Sequence, residues 1–206
     1  MNLKNSTAGI PIKEAKKALI MIHGVGGDAN DILSIAKHFK VDDFALIAPE
    51  VESKIWYPYS FLVPIDKNEP ALSQSLENIA KHITVIQENG IAKENIFFLG
   101  FSQGACLALE FTARNAERYG GVVAFTGGLM GDKVYESRYK GNFDNTPIFI
   151  GSSDPDCHVP VKRVNETATL LKRMGASVTK KIYDNMGHTI SQDEVDLANK
   201  LIFSKE

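Results

Sequence analysis

The sequence predicts an α/β fold, with one mostly parallel central sheet of about six to seven strands flanked by helices. Short apolar runs alternate with longer segments of helical period, the pattern of a parallel sheet covered on both faces. Hydrophobic residues make up 44% of the 206, enough for one well-buried core, so a single domain over 1–206 is expected. No internal repeat or low-complexity tract breaks the pattern.

The strands are expected at 17–22 ("KALIMI"), 44–48 ("FALIA"), 95–100 ("NIFFLG"), 121–126 ("GVVAFT"), 146–151 ("TPIFIG") and 177–183 ("SVTKKIY"). Helices are expected over 28–39, 70–89, 103–117, 160–173 and 191–203. In the second of these, Leu76, Ile79, Ile83 and Ile86 recur at three- and four-residue steps and form one apolar stripe, and Gly90 supplies a stop. Two stretches are irregular, 49–70 and 127–147. The first holds "WYPYSFLVP", whose prolines keep four aromatic residues out of a helix or an inner strand.

Composition excludes several classes of function. The 23 basic and 25 acidic residues leave a net charge of -2 with no long block of either sign, so neither nucleic acid nor stable membrane association is expected. The apolar run from Ala18 to Ile22 is too short to span a bilayer, and a cytoplasmic protein is expected. Cys106 and Cys157 have neither metal-ligand spacing nor the look of a disulfide framework, and Cys106 reads as a small apolar side chain on a helix.

In sheets of this kind ligands gather beyond the carboxyl ends of the strands. There the chain carries "GFSQG", residues 100–104, between a predicted strand and a predicted helix. This is the G-x-S-x-G nucleophile elbow, a strained turn with small flanking residues that holds the Ser102 hydroxyl out above the sheet. A serine needs a base that titrates near neutrality, and histidine is the natural choice. His38 and His82 fall on amphipathic helices and His23 ends the first predicted strand, which leaves His158 and His188. His188, in "DNMGHTISQDE" between the last strand and the last helix, is the preferred base.

A carboxylate should orient that imidazole, and "IFIGSSDPDCHVP" supplies Asp154 and Asp156; spacing leaves the choice open. An acyl transfer also needs donors for a developing oxyanion, worth about 3 kcal/mol each where one has been removed. The amide of Gln103, next to the nucleophile, is one. The other is expected from the glycine-rich loop "HGVGGD" at 23–28, with Val25 as the donor; this loop lacks the lysine of a phosphate-binding loop.

Together "HGVGGD", "WYPYSF", "GFSQGA", "DPDCHVP" and "MGHTI", in that order, resemble the phospholipase/carboxylesterase branch of the α/β-hydrolases, which also contains acyl-protein thioesterases. The resemblance implies Ser102 as nucleophile, His188 as base, and Val25 and Gln103 as oxyanion donors. Aligned on Val159 and Pro160 it puts the acid at Asp156, and aligned on the strand-ending glycine it puts it at Asp154; the first anchor is preferred because it fixes the start of the next helix. It further implies a minimal α/β-hydrolase fold with short or missing amino-terminal strands and no large lid domain. The open pocket would be walled by the Trp56–Phe61 loop, including Tyr57, and by Leu129 and Met130.

The expected activity is a serine carboxylesterase acting on small or short-acyl esters, with no metal or organic cofactor and a small-molecule ester or thioester as partner. Longer-chain thioesterase or lysophospholipase activity is the alternative within the family. A non-catalytic binding protein on the same scaffold is the alternative from another class. Dienelactone hydrolases, a further comparison, use cysteine where this elbow has serine.

Overall fold

The computed structural model describes residues 4–204, so the expected domain over 1–206 extends past the described residues at both ends. Seven strands form one sheet: β1 (Asn5–Gly9), β2 (Lys17–Ile22), β3 (Phe44–Pro49), β4 (Ile96–Phe101), β5 (Gly121–Phe125), β6 (Pro147–Asp154) and β7 (Ser177–Asp184). Their order is β1-β3-β2-β4-β5-β6-β7. All neighbours are parallel except β1, which runs antiparallel to β3. Parallel register sets Phe101 beside Phe125, and Phe125 beside Gly151. The carboxyl ends of β4, β5 and β6 thus lie side by side, and the segments leaving them converge on one edge.

Helices α1 (Ala29–Ser34) and α5 (Gln192–Ala198) cover one face of the sheet, and α2 (Ala71–Glu88), α3 (Gln103–Arg114) and α4 (Val161–Arg173) cover the other. Strand alternation sorts the side chains. Ile20, Phe98, Val122 and Ile148 pack with α2, α3 and α4, while Leu19, Leu99, Val123 and Phe149 pack on the side of α1 and α5. All eight are essentially inaccessible, and burying each such side chain favours folding by about 1.5–3 kcal/mol.

The sequence misses β1. Its residues, "NSTAG", are polar or small and mostly exposed, so no apolar alternation marks them; pairing with β3 makes the strand. The expected helix at 28–39 is an α-helix only to Ser34 and continues as a 3₁₀ turn over Ile35–His38. Asp28 starts it with a capping box, accepting from the Asn30 and Asp31 amides while Asp31 reaches back. The last expected helix is α-helical over Gln192–Ala198 and widens into a π-type turn over Asn199–Phe203. Among the described residues no helix is long and apolar enough to cross a membrane.

Candidate active site

Strand β4 passes directly into α3, and Ser102 sits at the bend with φ 54° and ψ -118°. A non-glycine residue in that region is strained, and strain at such a turn is a sign of function. The two flanking glycines are required by close approach. A Cβ at Gly100 would collide with the Gly104 backbone, and one at Gly104 would collide with the Ile22 carbonyl oxygen of β2. The Ser102 amide donates to Phe125 O at 2.9 Å, and its carbonyl accepts from Cys106 N at 3.0 Å, fixing the bend between β5 and α3.

His188 lies on the loop between β7 and α5, and its Nε2 is 2.8 Å from Ser102 Oγ. Its Nδ1 is 2.9 Å from Asp156 Oδ2. With the proton on Nδ1 facing the carboxylate, Nε2 is left to accept from the serine hydroxyl. The ring is flanked by Phe101 and His158, at centroid distances of 5.2 and 4.9 Å. His158 therefore packs against His188 and makes no bond to Ser102 among the described residues. Of the others, His23 and His82 are buried, with ring nitrogens bonded to Gly24 O and to Asn78 O and Asn5 respectively.

Asp156 belongs to the turn after β6, and its carboxyl group is completely buried. Burial by itself would raise its pKa. The amides of His158 and Val159, each donating to Oδ1 at 2.8 Å, together with His188, outweigh that and hold the carboxyl below the ordinary aspartate range. Asp154 ends β6 with its side chain exposed and without a hydrogen bond among the described residues; its carbonyl accepts from Asn185 N at 3.0 Å.

The 23–28 loop passes over the elbow closely enough that a Cβ at Gly24 would lie 3.3 Å from Ser102 Cβ. Among the described residues neither the Val25 amide nor the Gln103 amide donates a hydrogen bond. Gln103 is the first residue of α3, where no intrahelical acceptor exists for its amide. Its buried side chain has a second task. Oε1 accepts from Trp56 N at 2.7 Å and Nε2 donates to Tyr57 O at 2.8 Å, tying the aromatic loop to the elbow.

A cavity of about 700 Å³ opens onto Ser102. Helix α1 and the turn after it contribute Ile32 and Ile35, the 56–61 loop contributes Tyr57, Tyr59 and Phe61, and the loops after β6 and β7 contribute His158, Val159, His188 and Ile190. Among the described residues no cluster of His, Cys, Asp and Glu could hold a metal ion.

A family model described as Phospholipase/Carboxylesterase matches residues 5–204. The chain belongs to the phospholipase/carboxylesterase family. A crystal structure of a phospholipase/carboxylesterase from Dyadobacter fermentans superposes with a TM-score of 0.97 at 47% identity, covering 98% of this chain and 97% of that one. Acyl-protein thioesterase 1 of Neurospora crassa is 30% identical over 205 residues, 86% of this chain and 82% of its own. Carboxylesterase SOBER1 of Arabidopsis thaliana is 24% identical over 202 residues, 88% of this chain and 87% of its own. As a member of this family the chain is an esterase or thioesterase of the α/β-hydrolase superfamily, with a minimal fold and no large extra domain.

Against that family frame the expected pocket needs correction. Tyr57 lines the cavity, but Trp56, Leu129 and Met130 do not; all three are buried behind it. The Trp56 indole donates to His23 O at 3.0 Å and its carbonyl accepts from Ser75 Oγ at 2.7 Å, so the ring is turned into the core. The Leu129 amide donates to Thr167 Oγ1 and the Met130 amide to the buried Glu110, while Arg163 donates to the Leu129 and Gly131 carbonyls. Those bonds hold the segment after β5 down against α3 and α4.

Phe61, at the end of the expected loop, lines the cavity, and so do Ile32, Ile35 and Ile190, which the sequence does not single out because apolar side chains near a sheet end read as core. Glu194 is another residue the sequence does not mark. It is completely buried, and its Oε2 accepts from the Ser191 amide at 2.7 Å and the Ser191 hydroxyl at 3.1 Å. It thereby fixes the end of the loop that carries His188. Burial raises its pKa against the pull of those Ser191 bonds.

Proposed function

We propose that the chain is a serine carboxylesterase that cleaves small or short-acyl carboxylic esters through Ser102, His188 and Asp156. The observation that carries this reading is the unbroken hydrogen-bond line from Ser102 Oγ through His188 to Asp156, at 2.8 and 2.9 Å, on the wall of an apolar cavity. In it, Ser102 Oγ attacks the ester carbonyl as its proton passes to His188 Nε2. The carbonyl oxygen takes on negative charge, for which the amides of Val25 and Gln103 are the donors. Collapse of the intermediate breaks the bond to the leaving alcohol, which takes the proton from His188 and departs, leaving an acyl-enzyme. Water then attacks with His188 as base, and Ser102 is regenerated with release of the acid. Asp156 holds the ring and stabilises the imidazolium throughout. Apart from the ester and the attacking water, the groups used in these steps are side chains and backbone amides of the protein.

A specific observation favours a second reading, hydrolysis of longer acyl esters or thioesters. Val25, Ile55 and Tyr59, 61, 41 and 60% exposed, all line this cavity, whose size lies in the range that takes drug-sized ligands. A chain-length panel of p-nitrophenyl esters and acyl thioesters separates the two. Preference for two to four carbons supports the first reading, and a preference for long acyl thioesters supports the second. Ser102→Ala and His188→Ala run beside the wild type exclude a non-catalytic scaffold if both abolish turnover. Both cysteines are free thiols, which suits a cytoplasmic setting.

A further inference from the structure

Ser153 is the last but one residue of β6, is completely buried, and does not line the cavity, so it cannot touch a substrate there. Its hydroxyl nevertheless joins the two loops on which the acid and the base stand. The Gly187 amide donates to Ser153 Oγ at 3.0 Å, and the hydroxyl donates to Pro155 O at 3.2 Å, with Tyr183 O at 3.4 Å as the other acceptor in reach. Gly187 directly precedes His188, and Pro155 directly precedes Asp156.

The ladder between β6 and β7 ends with the Asn185 amide on Asp154 O, after which the two chains separate. Gly187 is half-buried, and a Cβ there would meet nothing within 4 Å. Its amide is tied to strand β6 by the hydrogen bond that it donates to Ser153. We propose that Ser153 is a positioning residue: its hydroxyl sets the distance between Asp156 and His188 and so keeps the imidazole in line with Ser102. This rests on the reading of those three residues as a triad. Displacement of a reacting group by about 1 Å can cost about a hundredfold in rate, so a clasp one residue from both partners has leverage on turnover without contacting substrate.

Ser152 provides a matched control. It is equally buried and points to the opposite face of β6, and its hydroxyl has no hydrogen-bond partner among the described residues. Ser153→Ala and Ser152→Ala are compared by steady-state ester hydrolysis, with Ser102→Ala as the reference for the triad. The expected result is that kcat of Ser153→Ala falls roughly ten- to a hundredfold below that of Ser152→Ala while KM stays within about twofold, because the reacting geometry rather than substrate binding is disturbed. The downfield proton resonance of His188 Nδ1–H should broaden or shift in Ser153→Ala alone. If Ser153→Ala does not fold, Ser153→Cys carries the test, since the thiol, although larger than the hydroxyl, leaves no void and makes weaker hydrogen bonds; its kcat should lie between wild type and a tenfold loss. Equal kcat and an unchanged resonance in the two alanine variants would overturn the clasp, as would wild-type kcat in Ser153→Cys. If Ser102→Ala retains turnover, the triad reading has failed, and the clasp falls with it.

Discussion

Ser102 and His188 meet at 2.8 Å, yet the two sides of that contact are built by different physics. The serine side is steric. Strand β4, helix α3 and the end of β2 approach so closely that two glycines are obligatory and Ser102 is driven into a strained backbone conformation. The side of Asp156 and His188 is polar. Asp156 and His188 stand on loops at the far side of the sheet, next to an edge strand that is largely exposed, and individual hydrogen bonds, donated by the His158 and Val159 amides to Asp156 and accepted by Ser153 and Glu194 from the loop that carries His188, hold those loops in place. A steric site tolerates almost no change of shape, whereas a hydrogen-bonded one should weaken in steps as its bonds are removed one at a time.

The largest expected effects come from removing chemistry outright. Asp156→Asn should lower kcat by up to about 10⁴-fold by disturbing the tautomer and stabilisation of His188, and Asp154→Asn should stay within about threefold of wild type, as steady-state rates will report. On the steric side, Gly104→Ala should either prevent folding or cost more than about 3 kcal/mol in a denaturation experiment, because the added methyl meets backbone and no side-chain rotation relieves it. A mild effect there would show that the elbow can relax, and would erase the contrast with the other side.

A smaller effect is expected where a polar side chain ties the elbow to the aromatic loop. Gln103→Ala removes two buried hydrogen bonds and leaves the Trp56 amide and Tyr57 carbonyl without partners, at a cost of about 2 kcal/mol or more. The 56–61 loop should loosen and kcat/KM fall roughly tenfold by loss of a cavity wall.

Much of this arrangement is legible in the sequence, and the boundary follows the same contrast. The close approach at the elbow demands small residues in a fixed five-residue spacing, so Gly100, Ser102 and Gly104 declare it although the atom that excludes a Cβ at Gly104 is Ile22 O of β2, and the apolar runs declare six of the seven strands. Polar contacts leave no such spacing in the sequence. Asp154 and Asp156 look alike from spacing, and what distinguishes them is the pair of amides donated to Asp156 and the strand position that turns Asp154 outward. Trp56, Leu129 and Met130 read as a pocket wall because an apolar side chain beside a site looks the same whichever way it faces; bonds to His23, Thr167 and Glu110 turn them inward. Strand β1 escapes notice because pairing with β3, rather than its own pattern, creates it.

The smallest expected effect lies in the pH dependence of stability, where the buried carboxyl groups of Glu194 and Asp156 have opposite signs. Glu194 has a raised pKa, so the folded chain keeps a proton that the unfolded chain releases, and stability should fall as pH rises from the ordinary glutamate range to the raised value. Asp156 has a lowered pKa, so its contribution is present above the ordinary aspartate range and is lost as pH falls below it. Glu194→Gln should flatten the first slope and leave the second, as chemical denaturation at a series of pH values will show. An unchanged slope would remove Glu194 from the account of the base loop.

If strained Ser102 is an activated nucleophile, a fluorophosphonate probe should label it, which intact-mass and peptide mass spectrometry will read. A single adduct per chain is expected, located on Ser102, and none in Ser102→Ala or His188→Ala; an unmodified wild-type mass, or labelling that survives both substitutions, would show that Ser102 is not activated.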